Sequence, residues 1–107
     1  MRVRVEGKPS WGKYAYLELE VDPESCRVLY VDVGGELLAS DPEALEELLE
    51  SKRGSTVAEL AEELARVEGA ATSRQLLELL AEAVSRAAPA CLEGMWRVRG
   101  AERNGVM

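Results

Sequence analysis

Residues 31–49 read VDVGGELLASDPEALEELL, and the periodicity of the chain changes within this stretch. Before it, apolar residues alternate with polar ones, which is typical of a strand with one face on a core. After it, they recur every three or four residues, which is typical of a helix. Gly34 and Gly35 can adopt the positive φ values that a sharp change of direction needs, and Pro42 suits the first turn of a helix. The stretch therefore predicts the end of a strand, a turn and the start of a helix.

Three strands are predicted from alternating apolar residues, over residues 2–6, 13–21 and 26–33. In the second strand, the residues expected on the core face are Ala15, Leu17, Leu19 and Val21. In the third, those expected on one face are Leu29, Val31 and Val33, and those on the other are Val28, Tyr30 and Asp32. A short turn over residues 22–25 joins these two strands, so they are expected to be antiparallel neighbours.

Three helices follow, over about residues 42–51, from Thr56 to near Gly69, and from Thr72 to Pro89. Each begins with a pair of residues that fits a capping box: Ser40 with Glu43, Thr56 with Glu59, and Thr72 with Gln75. The inward stripe of the second helix is expected to be Val57, Leu60, Ala61, Leu64 and Ala65. That of the third is expected to be Leu76, Leu77, Leu80, Ala83, Val84 and Ala87.

The order of these elements predicts an α+β fold, with one antiparallel sheet of about three strands and three helices packed on one face. Residues 1–90 are expected to form this single domain. Residues 91–107 are expected to be a C-terminal extension, in which Met95, Trp96 and Val98 make a short edge strand or a docked tail and the last residues are frayed.

Composition and charge narrow the classes of partner. The 107 residues carry a net charge of −7, and an acidic body of this kind argues against nucleic acid as the main partner. No apolar run approaches the roughly 18 residues that span a bilayer, and the N-terminus lacks the apolar stretch of a secretory signal, so a cytoplasmic protein is expected. Scarce amide residues and abundant charged ones indicate a thermophile, although a GC-rich genome would give the same bias.

The residues needed for independent catalysis are missing from the sequence. The chain has no histidine, which excludes Ser-His and Cys-His nucleophile systems. Cys26 and Cys91 lie far apart without a CxxC motif, so no metal ligand is predicted. They are expected to be two buried thiols, with a disulfide as the alternative in a hyperthermophile. The chain is therefore expected to act by binding.

Two segments are candidates for a binding surface. Trp11 lies between Gly and Lys residues in a predicted loop, and such loops often contact partners. The alternative is that Trp11 packs over the edge of the sheet. Leu37 and Leu38 follow the glycine pair, and the residues alone favour their packing under the first helix over contact with a ligand.

A family resemblance is carried by these same segments. Residues 8–13 (KPSWGK) resemble the Lys-x-x-x-Gly-Lys loop of the accessory, C-terminal domain of lipoate–protein ligases, which in some archaea is a separate small subunit. Residues 35–38 (GELL) stand where that family has a Gly-Asp-aromatic segment, and residues 42–46 (PEALE) resemble its helix start. The resemblance covers roughly residues 1–88.

The chain departs from the family pattern at three points. Glu36 replaces the aspartate, Leu37 and Leu38 replace the aromatic residues, and the tail after Pro89 has no counterpart.

The resemblance implies a subunit that docks on a separate catalytic subunit and enables lipoate adenylation for protein lipoylation. The catalytic subunit would bind lipoate, ATP and Mg²⁺, form lipoyl-adenylate and pass the lipoyl group to a lysine of an acceptor domain. No cofactor is expected on this chain alone. The expected interface residues are Lys8, Trp11, Gly12, Lys13, Gly35, Glu36, Leu37 and Leu38.

Two alternatives remain open from the sequence. The order of strands and helices also resembles iron–sulfur scaffold proteins of the NifU and IscU type, whose fold the ligase accessory domain is thought to share. Those scaffolds hold their cluster with three cysteines, whereas here Gly35 occupies the first place and Thr72 and Ser73 lie near the last, which argues against cluster assembly. The other alternative is a stand-alone α+β protein-interaction module, for example a homodimer through an edge strand.

Overall fold

The computed structural model describes residues 2–8, 13–36, 42–67 and 70–93. Its elements are β1 (Arg2–Gly7), β2 (Ala15–Val21), β3 (Val28–Gly35), α1 (Pro42–Ser51), α2 (Val57–Ala65) and α3 (Ala70–Ala87). A further helical turn covers residues 89–93. The α+β class and the boundaries of α1 are confirmed.

The sheet has the order β1-β2-β3, and both neighbouring pairs are antiparallel. Leu17 lies between Val5 and Val33 across the strands, and all four residues predicted for the core face of β2 are buried. α3 packs on β1 and β2, α2 packs on α3, and α1 lies beside β3. Burying a Leu or Val side chain contributes about 1.5–3 kcal/mol to the free energy of folding. The helices therefore pack on the face of the sheet that carries these residues.

The predicted faces of β3 are wrong at its start because the strand contains a bulge. Glu20 pairs with Tyr30 but Val21 pairs with Val28, so Leu29 is an extra residue in the ladder. Val28 is therefore fully buried with Val31, whereas Leu29 is 53% exposed. An extra residue exchanges the core face and the open face for the residues on one side of it. A prediction from strict alternation of apolar residues does not include such a switch.

The open face of the sheet, opposite the helices, carries paired charges. Arg2 and Arg4 of β1 form ion pairs with Glu20 and Glu18 of β2 at 3.8 and 3.3 Å. Arg2 also lies over the ring of Tyr30, and Arg4 lies 4.0 Å from the ring centroid of Tyr16. Exposed pairs of this kind contribute little stability singly, but they hold both arginines across the sheet.

Cys26 and Cys91 form a disulfide, so the expectation of two buried thiols is wrong. The fold brings their Cα atoms to 5.6 Å although 65 residues separate them, which the sequence alone does not reveal. Cys91 lies in the helical turn over residues 89–93 and is buried, so residues 91–93 are helical and are not part of an edge strand. The Met95–Val98 segment lies outside the described residues.

Helix starts and inward faces differ in detail from the expectation. Thr56 caps α2 as predicted, since its Oγ1 accepts a hydrogen bond from the Glu59 amide at 3.2 Å. α3 instead begins at Ala70, two residues before the predicted cap at Thr72. Thr72 therefore lies inside the helix and does not form a capping box with Gln75. The buried stripe of α3 includes Gln75 and Leu79, whereas Leu77 is half-buried. The proposed cap at Ser40 falls on a residue that is not described, and α2 ends at Ala65 with Arg66 as its C-cap, so the predicted end near Gly69 is wrong.

The loop between α1 and α2 covers the beginning of the outer edge of β3. The Val28 amide donates to the Ser55 carbonyl, and the Gly54 amide donates to the Val28 carbonyl, both at 2.7 Å. The Val57 amide donates to the Cys26 carbonyl at 2.9 Å. These bonds satisfy backbone groups that an edge strand otherwise leaves open. Within the described ranges, no helix is long and apolar enough to cross a membrane.

The turn between β2 and β3 makes the stability depend on pH. A hydrogen bond from the Glu24 amide, supported by Ser25, holds the pKa of Asp22 below its usual value. The folded pKa is below the unfolded one, so the stabilisation is present above the pKa of an unfolded-chain aspartate, about 3.9, and is lost as pH falls through the lower folded pKa. Asp22→Asn keeps an oxygen acceptor without the titration. Its free energy of unfolding should therefore fall less steeply in acid, and parallel urea-unfolding curves against pH for the two proteins would contradict this.

Candidate functional site

The two segments that carry the sequence hypothesis meet at one end of the sheet. Gly7 pairs with Ala15, and Ala15 pairs with Gly35, so the end of β1, the start of β2 and the end of β3 lie side by side. The Glu36 amide donates to the Tyr14 carbonyl at 2.7 Å. We call this region the loop end of the sheet and define it by the following residues: Lys8, Lys13, Tyr14, Gly34, Gly35 and Glu36. It unites four of the predicted interface residues, Lys8, Lys13, Gly35 and Glu36, all of them exposed.

The glycine pair at the loop end is required for two different reasons. Gly35 has a φ of +102°, and a Cβ atom there would lie 2.8 Å from the Tyr14 carbonyl oxygen and 2.9 Å from the Cα atom of Ala15. Gly34 remains in the strand without positive φ, but the ring of Tyr16 lies directly over it. Only Gly35 therefore makes the change of direction expected of both, and Gly34 provides the flat surface under the aromatic ring.

Gln75 connects the loop end to α3. Its side chain is 3% exposed, and its Nε2 donates to the backbone carbonyl of Lys13. A buried amide needs such a partner, because an unsatisfied one costs about 1–3 kcal/mol. Gln75 therefore fixes the point at which the chain enters β2.

Sequence reasoning missed this role of Gln75 because it assigned the residue to a helix cap. A signal was available, since Gln75 lies four residues before Leu79 and eight before Ala83. It is therefore a single amide on the inward stripe of a helix. A polar side chain in that position implies a buried partner.

Tyr14 organises the charges on the open face beside the loop end. Its hydroxyl donates to Glu6 Oε2 at 2.7 Å. A hydrogen bond with Tyr14 is also the main reason that the pKa of Arg4 lies above its usual value, with Glu18 and Glu6 adding to the effect. These side chains therefore bind each other, and the charges that remain available to a partner at the loop end are those of Lys8, Lys13 and Glu36.

A cleft of about 240 Å³ opens between the end of β1 and α3. Its walls carry three carboxylates and one ammonium group. The lining residues are Glu6, Gly7, Lys8, Gln75, Glu78, Leu79 and Glu82. Within the ranges that the structure describes, no group of three or more carboxylate or thiol side chains is arranged to hold a metal ion. The cleft is therefore a shallow extension of the loop end with an acidic wall.

Both cysteines are engaged in the disulfide and are unavailable as thiolate ligands. A cluster held by cysteines of this chain is therefore incompatible with the oxidised protein. The other predicted interface residues, Trp11, Gly12, Leu37 and Leu38, lie outside the described residues.

Comparisons of the chain with models of protein families, with curated proteins and with solved structures found no match.

Proposed function

We propose that the chain is the accessory subunit of a two-part lipoate–protein ligase and acts by binding the catalytic subunit through the loop end of the sheet. The observation that supports this most is the convergence of the two segments that carry the family resemblance. Residues 8–13 and residues 35–38 are separated by two strands in sequence, yet their described parts are neighbours, since the Glu36 amide donates to the carbonyl of Tyr14, the residue that follows Lys13. A surface assembled from separate segments on a rigid sheet is suited to recognise another protein.

Binding at the loop end would combine fixed backbone with exposed charge. Gln75 holds the backbone carbonyl of Lys13, and the Gly35 turn holds the Glu36 amide against Tyr14, so little conformational entropy is lost at these positions when a partner binds. Lys8 and Lys13 are exposed and can approach carboxylates of the catalytic subunit. The docked chain would order the partner's loops and exclude water from the acyl-adenylate. Lipoate, ATP and Mg²⁺ belong to the catalytic subunit in this proposal, and the lipoyl group passes to a lysine of an acceptor domain.

We place this function in the cytoplasm of a thermophile. Disulfides are rare in most cytosols, but intracellular proteins of hyperthermophiles contain many of them. The Cys26–Cys91 bond and the scarcity of amide side chains are compatible with such a host.

The proposal predicts that the chain activates a catalytic subunit. We expect a cognate ligase subunit to form lipoyl-adenylate slowly alone and faster when this chain is added. The double variant Lys8→Ala/Lys13→Ala should weaken this activation about tenfold or more, because it removes both exposed ammonium groups of the loop end. The measurement is lipoyl-adenylate formation by mass spectrometry as a function of the concentration of this chain.

The matched control is Arg53→Ala/Arg66→Ala, which removes two exposed cations away from the loop end and should leave activation unchanged. Equal losses in the two double variants would contradict the location of the surface. No activation of the ligase subunits of the host would contradict the function. A pull-down that recovers a protein other than a ligase through the loop end would instead support the stand-alone interaction module.

A further inference from the structure

The outer edge of β1 carries a row of backbone groups that no described strand covers. In an antiparallel sheet, every second residue of a strand directs its N–H and C=O toward the same neighbouring strand. The Tyr14 carbonyl accepts from the Glu36 amide after β3, so Tyr16, Glu18 and Glu20 also direct their backbone groups toward β3. Alternate residues of β2, such as Leu17 and Leu19, must then direct theirs toward β1, where they meet Val5 and Val3. The amides and carbonyls of Arg2, Arg4 and Glu6 consequently point away from the sheet.

The sequence of this edge complements itself when it is read in opposite directions. An antiparallel copy centred on Arg4 places Arg2 opposite Glu6 of the copy and Glu6 opposite its Arg2. On the core face, the same register places Val3 opposite Val5 in both directions. The outward backbone groups of Arg2, Arg4 and Glu6 then form the hydrogen-bonded pairs of an antiparallel ladder. Opposite charges and paired β-branched residues are the cross-strand neighbours that stabilise such a ladder.

We infer that β1 pairs with β1 of a second copy in this register, which gives a homodimer with a continuous six-stranded sheet. The one like-charged contact is between the two Arg4 side chains at the two-fold axis. Each Arg4 already has Glu18 at 3.3 Å and the ring of Tyr16 beneath it, so its charge is largely compensated within its own subunit. Val3, which is only half-buried in the single chain, gains a neighbour on the core face.

The helices leave room for this pairing. α3 packs over both β1 and β2, so the two copies of α3 would lie about two strand spacings apart, or roughly 10 Å. Packed helices approach to about 8–10 Å, so the two copies of α3 would pack side by side without overlapping. The antiparallel arrangement also directs the two loop ends away from each other, at opposite ends of the six-stranded sheet, so the dimer does not depend on the proposed ligase function and does not obstruct it.

The outer edge of β3 suits self-association less well. The loop between α1 and α2 already occupies its beginning through Val28. α1 lies beside the rest of this edge, across a groove of about 260 Å³ whose charged lining residues are Asp32, Glu46, Glu50 and Arg53. β1 is therefore the edge that fits its own copy.

The decisive variant is Arg4→Pro, studied in the full chain by analytical ultracentrifugation from micromolar to millimolar concentration. Proline is tolerated on an edge strand but removes the outward amide that the second copy needs. We expect the wild type to be dimeric at the upper concentrations, and Arg4→Pro to raise the dissociation constant at least tenfold while its circular dichroism remains that of a folded protein. Arg4→Ala is the matched control, since it removes the same side chain but keeps the amide, and it should dimerise at least as tightly as the wild type.

Charge exchange tests the register. Arg2→Glu alone and Glu6→Arg alone each place like charges opposite each other twice and should weaken the dimer, whereas the double variant Arg2→Glu/Glu6→Arg restores the pairs and the affinity. A wild-type chain that is monomeric up to millimolar concentration, or a dimer that is insensitive to Arg4→Pro, overturns the inference. Loss of dimerisation in the charge-exchanged double variant overturns the register.

Discussion

Removing the Cys26–Cys91 disulfide is expected to lower the free energy of unfolding by about 4 kcal/mol, the cost of freeing a loop of this length in the unfolded chain. This is a large fraction of the stability of a typical small domain, about 5–15 kcal/mol. The disulfide joins the helical turn over residues 89–93 to the turn that precedes β3, two segments that are 65 residues apart in the sequence. The measurement is urea unfolding of the oxidised protein, of the reduced protein and of Cys26→Ala/Cys91→Ala. Coincident transitions for the three would contradict the prediction.

A second variant separates the bond itself from the backbone conformation that it accompanies. Cys26 has a φ of 58°, in the left-handed region that an L-residue other than glycine rarely adopts. Cys26→Gly/Cys91→Ala lacks the disulfide just as the double alanine variant does, but glycine accepts this φ without strain. We therefore expect it to be about 1 kcal/mol more stable than the double alanine variant. Equal stability would show that residue 26 leaves the left-handed region once the bond is gone.

Gly35→Ala is expected to lower the free energy of unfolding by about 2–4 kcal/mol. The methyl group meets the positive φ and also the backbone of Tyr14 and Ala15 at 2.8 and 2.9 Å. Backbone atoms cannot rotate aside as a side chain does, so the end of β3 must separate from β2 and the bond between Glu36 and Tyr14 must weaken. The measurement is again urea unfolding, with amide exchange of Glu36 as a local report on the same contact.

Two other glycines provide controls that separate the causes. Gly54 has a φ of +91° but open space around its Cβ position, so Gly54→Ala should reveal the cost of φ alone, about 1 kcal/mol. Gly7 has open space and no positive φ, so Gly7→Ala should change stability by less than about 0.5 kcal/mol. If Gly35→Ala costs no more than Gly54→Ala, the close approach at the loop end is not a constraint.

The parts of the fold that depend on local sequence could be predicted. The bounds of α1 and the cap at Thr56 were predicted because Pro42 and the Thr56–Glu59 pair act within one turn of a helix. The core face of β2 was predicted because alternation persists from Ala15 to Val21 without interruption. Hence the α+β class and the order of elements follow from periodicity.

The parts that depend on contacts between distant segments could not be predicted. The bulge at Leu29 is visible only once β3 is paired with β2. The disulfide joins residues 65 positions apart, and nothing in the sequence indicates that Cys91 approaches the turn before β3. The candidate site shows the same division, since Lys8, Lys13 and Gly35 follow from sequence motifs, whereas the contribution of Gln75 arises from α3 packing against the start of β2.

Two links hold α3 to the rest of the domain, and they affect the order in which the domain unfolds. Near the beginning of α3 the Gln75 amide holds the main chain at Lys13, and just past its end Cys91 is covalently linked to Cys26. The stretch of α3 between these two links cannot separate from the sheet one turn at a time from either side. Partial unfolding of the oxidised protein should therefore begin in α1, which has fewer contacts with the sheet than α3 has. It should include α3 only when the whole domain unfolds.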